Sequence, residues 1–178
     1  MTTKDLNTLE YNPFYSTYID MIPKELELVD GFYLGLKQVT DFFKSIPKEK
    51  LTYKYAEDKW TVKEVFQHII DTERIFMYRC LRIARHDQTP LAGFDQNDYI
   101  LPSLANKKSI ELLLEEYQAV RQNFIVLLKS LSETDLNFVG NANGSNLSAT
   151  LLANFLDAEE VQNWTNIDGV CNEDICQY

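Results

Sequence analysis

Apolar residues recur along this chain at spacings of three and four in four separate stretches, the period of one face of an α-helix, and no stretch shows a convincing strand alternation. From about Lys24 to Ser45 the stripe is Leu28, Phe32, Leu36, Val39 and Phe43. Gly31 and Gly35 weaken this helix locally or admit a close neighbour, and Pro47 stops it. A second stretch opens on WTVKE, where Thr61 is placed to cap the helix and Glu64 to return the hydrogen bond. Its stripe, Val62, Val65, Phe66, Ile69, Phe76, Cys80 and Ile83, runs to about Arg85. The third is the most regular: Ile110, Leu113, Leu114, Tyr117, Val120, Phe124, Leu127, Leu128 and Leu131 form a near-heptad seam suited to bundle packing. After the turn sequence GNANGSN, a fourth helix is predicted from about Ser148 to Ile167, with Gly169 close to its end.

Between the second and third stretches, HDQTPLAGFDQNDYILPS is rich in Pro, Gly, Asp and Asn and reads as a long ordered crossover loop, with Phe94 and Tyr99 anchoring it to the body. The prolines, Pro13, Pro23, Pro47, Pro90 and Pro102, all fall at joints, and no internal repeat is visible. Four long helices with a long crossover between the second and third predict an all-α four-helix bundle. At 178 residues and 45% apolar content, one domain spanning residues 1–178 can bury a single substantial core.

Charge narrows the function. With 27 acidic against 17 basic residues and a formal charge of -10, the surface repels nucleic acid and anionic membrane. No run of apolar residues is long enough to span a bilayer, and MTTKDLNTLEYNPF has neither a basic nor an apolar leader region, which predicts a soluble cytoplasmic protein. The odd set Cys80, Cys171 and Cys176 lacks zinc-type pairing and reads as reduced thiols.

Candidate chemistry is confined to a few polar residues at helical spacing. In FLDAEEVQNW, Glu159 falls on the stripe of Leu152 and Phe155, so a carboxylate points where a core side chain is expected. Asn163 lies one turn further on the same face, with Gln162 as the neighbouring alternative. On the second helix His68 sits at the edge of the bundle interior, on the side of Thr72 and Arg79. Asp71, three residues on, is placed to orient its imidazole. Asp71 and Glu73 otherwise read, with Arg74, Arg79, Arg82 and Arg85, as charges pairing on a solvated face. His86 reads as a helix C-terminal residue favoured by the dipole, without a catalytic role. One imidazole, one carboxylate and one amide form a divalent-ion site of lower zinc affinity than three imidazoles. Nucleophile elbows and phosphate-cradling glycine loops are absent from the sequence.

Three segments, YNPFYSTYIDMIP, YKYAEDKWTVKEVFQHIIDTERIFMYRCLRIARHDQTPLAGFDQNDY and GNANGSNLSATLLANF, together resemble the DinB-like (YfiT-like) metal-dependent four-helix bundle family, and the resemblance runs through nearly the whole chain. The family typically holds a divalent metal, often zinc or nickel, with one histidine on the second helix and two, a turn apart, on the last. His68 matches the first. The family's last-helix pattern resembles G-H-E-x-H-H, which places Glu159 at its first histidine, Glu160 at its glutamate, and Gln162 and Asn163 at its final two. Some members resemble thiol S-transferases and others hydrolases, using metal to generate a thiolate or hydroxide at neutral pH. The resemblance implies a weakly held divalent metal or none, a small-molecule or thiol ligand, and pairing into homodimers. Two functions follow: a bundle that has lost strong metal binding and serves as a binding protein or has lost catalysis, or a metal-dependent thiol S-transferase or hydrolase with a modified His68, Glu159 and Asn163 site. A site built elsewhere would draw on Asp71, or on Asp95 and Asp98.

Overall fold

The computed structural model describes residues 1–6, 16–136 and 138; the predicted fourth helix, with Gln162, Glu159 and Asn163, lies outside them, as do Cys171 and Cys176. The described residues are helical, with no strand among them. A short α1 (Ser16–Ile19) precedes α2 (Leu28–Ser45), α3 (Val62–Ala84), α4 (Gln96–Ser103), α5 (Ile110–Lys129) and a short α6 (Glu133–Leu136). The first long helix begins at Leu28 rather than near Lys24. Pro23 opens a turn closed by Leu26 N–H on its carbonyl, and Leu28 N–H is held by the Met1 carbonyl, so helical bonding starts only afterwards.

α3 starts where the capping box predicts. Thr61 Oγ1 accepts from Glu64 N–H at 3.2 Å and Glu64 Oε2 accepts from Thr61 N–H at 2.7 Å. The returning chain locks this helix end: Thr61 Oγ1 lies 2.8 Å from Asn106 Oδ1, and Asn106 donates through Nδ2 to Glu64 Oε1 at 3.0 Å. Thr61→Ala removes the cap and the Asn106 contact together, and a loss of about 1–2 kcal/mol is expected in a urea unfolding curve.

At its other end α3 closes in a Schellman arrangement, with His86 N–H on the Ile83 carbonyl and Asp87 N–H on the Arg82 carbonyl. His86 occupies the left-handed position, φ 58°, usually given to glycine. Its ring stacks on Phe138 at 4.0 Å, and Nε2 lies 3.8 Å from Asp135 Oδ1, which ties the end of α3 to α6. The segment read as a loop contains α4, an eight-residue helix capped by Asp95, whose Oδ1 accepts from Asn97 N–H. Phe94 does anchor the crossover, through Arg79, whose guanidinium lies over its ring and donates to the Ala92 carbonyl. Tyr99 rests on Phe94 and is itself exposed.

α5 packs against both α2 and α3. At one end of the bundle Phe32 of α2 meets Cys80 and Ile83 of α3 and Phe124 and Leu128 of α5; at the other Val39 and Phe43 meet Phe66, Ile70, Leu113 and Tyr117. α2 is therefore antiparallel to the other two, and α3 and α5 run parallel, which is why a long crossover joins them. Phe43 and Phe66 stack at 3.7 Å, and Phe32 meets Phe124 edge-on at 5.0 Å. Tyr117 Oη of α5 donates to the Gly35 carbonyl of α2 at 3.4 Å.

Candidate functional site

A charged layer separates the two apolar clusters. Glu73 of α3 and Arg121 of α5 are 0% and 1% exposed, with Arg121 Nε 2.7 Å from Glu73 Oε1. The guanidinium also lies over the rings of Phe32, at 4.7 Å, and Tyr117, at 5.5 Å. Although the charges touch, neither Glu73 oxygen nor Arg121 Nε or Nη1 has an aligned hydrogen bond. Burial pushes the Glu73 carboxyl up to about 7 against the pull of Arg121. This corrects the reading of Glu73 as part of a solvated face.

His68 lies five residues before Glu73 in α3, half-buried and packed against the Trp60 ring at a centroid distance of 5.0 Å. Its Nδ1 is 3.3 Å from Oγ1 of the buried Thr72, one turn along the same helix. Burial lowers the His68 pKa, and the charge of Asp71 opposes this to a smaller extent, so the ring is neutral at neutral pH.

Asp71, expected to orient that ring, bonds elsewhere. Its Oδ1 accepts from Gln67 Nε2 at 3.0 Å and from Arg74 Nη1 at 2.9 Å. Arg74 reaches Glu116 Oε2, Lys108 Nζ reaches Glu116 Oε1, and Lys108 also donates to Gln67 Oε1, which closes a ring of five side chains joining α3, α5 and the end of the crossover. Among the described residues Asp71 acts on His68 through its charge, and Thr72 is the hydrogen-bonding partner.

Sequence reasoning placed His68 on the side of Thr72 but gave Thr72 no role, and gave none to Trp60. The i, i+4 spacing of His68 and Thr72 was the available signal. Asp95 caps α4 and so is already bonded, and Cys80 is buried, with its thiol pushed up to about 12 by burial. Among the described residues no three of His, Cys, Asp and Glu cluster as a metal site. Glu159, Asn163 and Gln162 belong to the undescribed residues.

The donor chemistry can still be judged at His68. A metal takes an imidazole that is neutral and held in one orientation, and His68 meets both conditions. His86, the chain's other histidine, terminates α3, 18 residues away, and its ring is held by Phe138 and Asp135. At 1.5 Å per helical residue that separation is on the order of 27 Å, so a single ion can draw on one imidazole only.

Fold and site together define an all-α bundle with a neutral imidazole held at the edge of its interior and a long crossover between parallel helices. The sequence profile of the DinB superfamily matches residues 32–166, and the chain belongs to that superfamily. A protein of Oceanobacillus iheyensis named "putative metal-dependent hydrolase" is 25% identical over 149 residues, covering 78% of this chain and 84% of the relative. YfiT from Bacillus subtilis, described as a probable metal-dependent hydrolase with an unusual four-helix bundle topology, superposes with a TM-score of 0.67 at 16% identity, over 84% of this chain and 86% of its own. The four-helix bundle fold is thereby shown. Among the described residues no helix is long and apolar enough to cross a membrane.

Proposed function

We propose that this chain is a DinB-type protein with a weakened metal site, in which His68 is kept and the other two ligand positions have become Glu159 and Asn163. It acts as a binding protein for a small molecule rather than as a tightly metallated enzyme. The observation that carries this is the isolation of His68: the second histidine of the chain is fixed at the far end of α3 by Phe138 and Asp135. A carboxylate and an amide complete a harder and weaker donor set than imidazoles. His68 supplies a neutral nitrogen, Trp60 and Thr72 hold its ring, and Gln162 stands beside Asn163 as a substitute amide.

A second reading is favoured by the names of the relatives and by the neutral state of His68: a metal-dependent hydrolase or thiol S-transferase working through the same three residues. A bound divalent ion would supply Lewis acidity and a lowered pKa for a thiol or water. Calorimetric titration of the dialysed, tag-free chain with zinc, nickel and manganese separates the two. The first reading expects saturation only at large molar excess, with zinc little better than manganese, and no thiol-transfer or esterase turnover at saturating metal. Turnover that His68→Ala abolishes would establish the second.

A further inference from the structure

We propose that Thr72 is a positioning residue that fixes the tautomer of His68, holding the proton on Nδ1 and leaving the lone pair of Nε2 directed away from its own helix. This rests on the reading of His68 as the surviving ligand and adds which of its atoms binds and what selects that atom.

Three observations show that Thr72 engages Nδ1; because a hydroxyl can accept or donate there, the proton is assigned to Nδ1 by the pattern of ligating histidines, which donate their other N–H to an oxygen. Thr72 is buried, and its hydroxyl oxygen lies 3.3 Å from His68 Nδ1, one helical turn away, so the proximal ring nitrogen is engaged within α3 itself. The Trp60 ring lies against the imidazole, 5.0 Å between centroids and inclined at 56°, and limits rotation about the side-chain bonds that would exchange the two nitrogens. Asp71, the carboxylate nearest in sequence, is bonded to Gln67 and Arg74, so the neutral hydroxyl of Thr72 is the partner at Nδ1. A neutral imidazole has one N–H and one acceptor, and the nitrogen that donates determines that the other can ligate. An oxygen on Nδ1 is the arrangement that orients a ligating histidine, and losing such a partner lowers metal affinity by roughly 10–100-fold.

The test reads the ring directly in the metal-free protein. Nitrogen-15 spectra of the imidazole side chains report which nitrogen carries the proton, and the His86→Asn background leaves His68 as the only histidine signal. With the ring neutral, the parent should show a protonated Nδ1 and an unprotonated Nε2. Thr72→Val, which keeps the shape and removes the oxygen, should shift the ring toward the form protonated on Nε2, and Thr72→Ser should restore the parental pattern. Cobalt titration of the same proteins should show roughly 10–100-fold weaker binding for Thr72→Val, with recovery in Thr72→Ser. A parent protonated on Nε2, or a Thr72→Val spectrum identical to the parent's, overturns the assignment. If the tautomer follows Thr72 while no variant binds cobalt or zinc at all, the positioning role stands and the metal-site reading fails. The thermal midpoint of each variant shows whether it is folded, and because Thr72→Ser retains the hydroxyl, failure of Thr72→Val to fold leaves the parent and serine spectra to decide.

Discussion

Replacing Glu73 with alanine is expected to lower the free energy of unfolding at pH 8, where its carboxyl is ionised, by about 3–5 kcal/mol, because it leaves the Arg121 guanidinium charged, buried and without its counter-ion. Arg121→Met should cost a comparable amount from the other side. Glu73→Met combined with Arg121→Met should recover most of the loss, since two apolar side chains would fill a layer lined by Phe32 and Tyr117 without any charge to desolvate. Urea unfolding of the parent, Glu73→Met, Arg121→Met and the double variant measures this cycle, with Glu73→Ala run alongside. The pH dependence follows from the raised carboxyl. In the folded protein Glu73 titrates near 7, above its ordinary value of 4.5, so between these values the folded state holds a proton that the unfolded chain has released. The stability this contributes is fully present below about 4.5 and is lost as pH rises through 7. The stability difference between the parent and Glu73→Gln should therefore change across that window and level off above it. A difference independent of pH from 4 to 8 would show that folding leaves the Glu73 carboxyl at its ordinary value.

The fold was legible because its signals are local. Thr61 and Glu64 carry the start of α3 in five letters, and the seam from Ile110 to Leu131 repeats often enough to define α5 without reference to any partner. The charged layer was legible too, on a principle applied at one place and not at another. Glu73 is three residues after Ile70 and three before Phe76, and Arg121 is four after Tyr117 and three before Phe124, so both lie on apolar stripes. The spacing that sets Glu159 on an apolar stripe sets Glu73 on one as well. Its nearness to several arginines in sequence suggested a surface pair, whereas its partner comes from α5, 48 residues away, and only packing reveals it. The five-membered network around Asp71 is hidden for the same reason, since Lys108 and Glu116 reach it through tertiary contacts. α4 was obscured by its composition: Asp, Asn and Pro favour turns, yet Asp95 caps and Pro102 falls in the last turn, where the helix is ending.

Placing histidines at the two positions proposed to accompany His68 is expected to produce the largest functional change. In Glu159→His combined with Asn163→His, three imidazoles replace one, and zinc affinity should rise on the order of 100-fold or more, a change at least as large as that from losing a ligand's hydrogen-bonding partner. Adding His68→Ala to this double variant should remove most of the gain, because two imidazoles alone cannot enclose a tetrahedral ion. Competition against a chromophoric chelator measures all three proteins. Equal zinc affinity in the parent and the double variant would mean that residues 159 and 163 do not face the same ion as His68.

We propose that this chain keeps one well-held imidazole and has lost tight metal binding. Metal analysis of the tag-free protein, purified without added metal and dialysed, should find well under one equivalent of zinc or nickel per chain; a full equivalent that disappears in His68→Ala would contradict this.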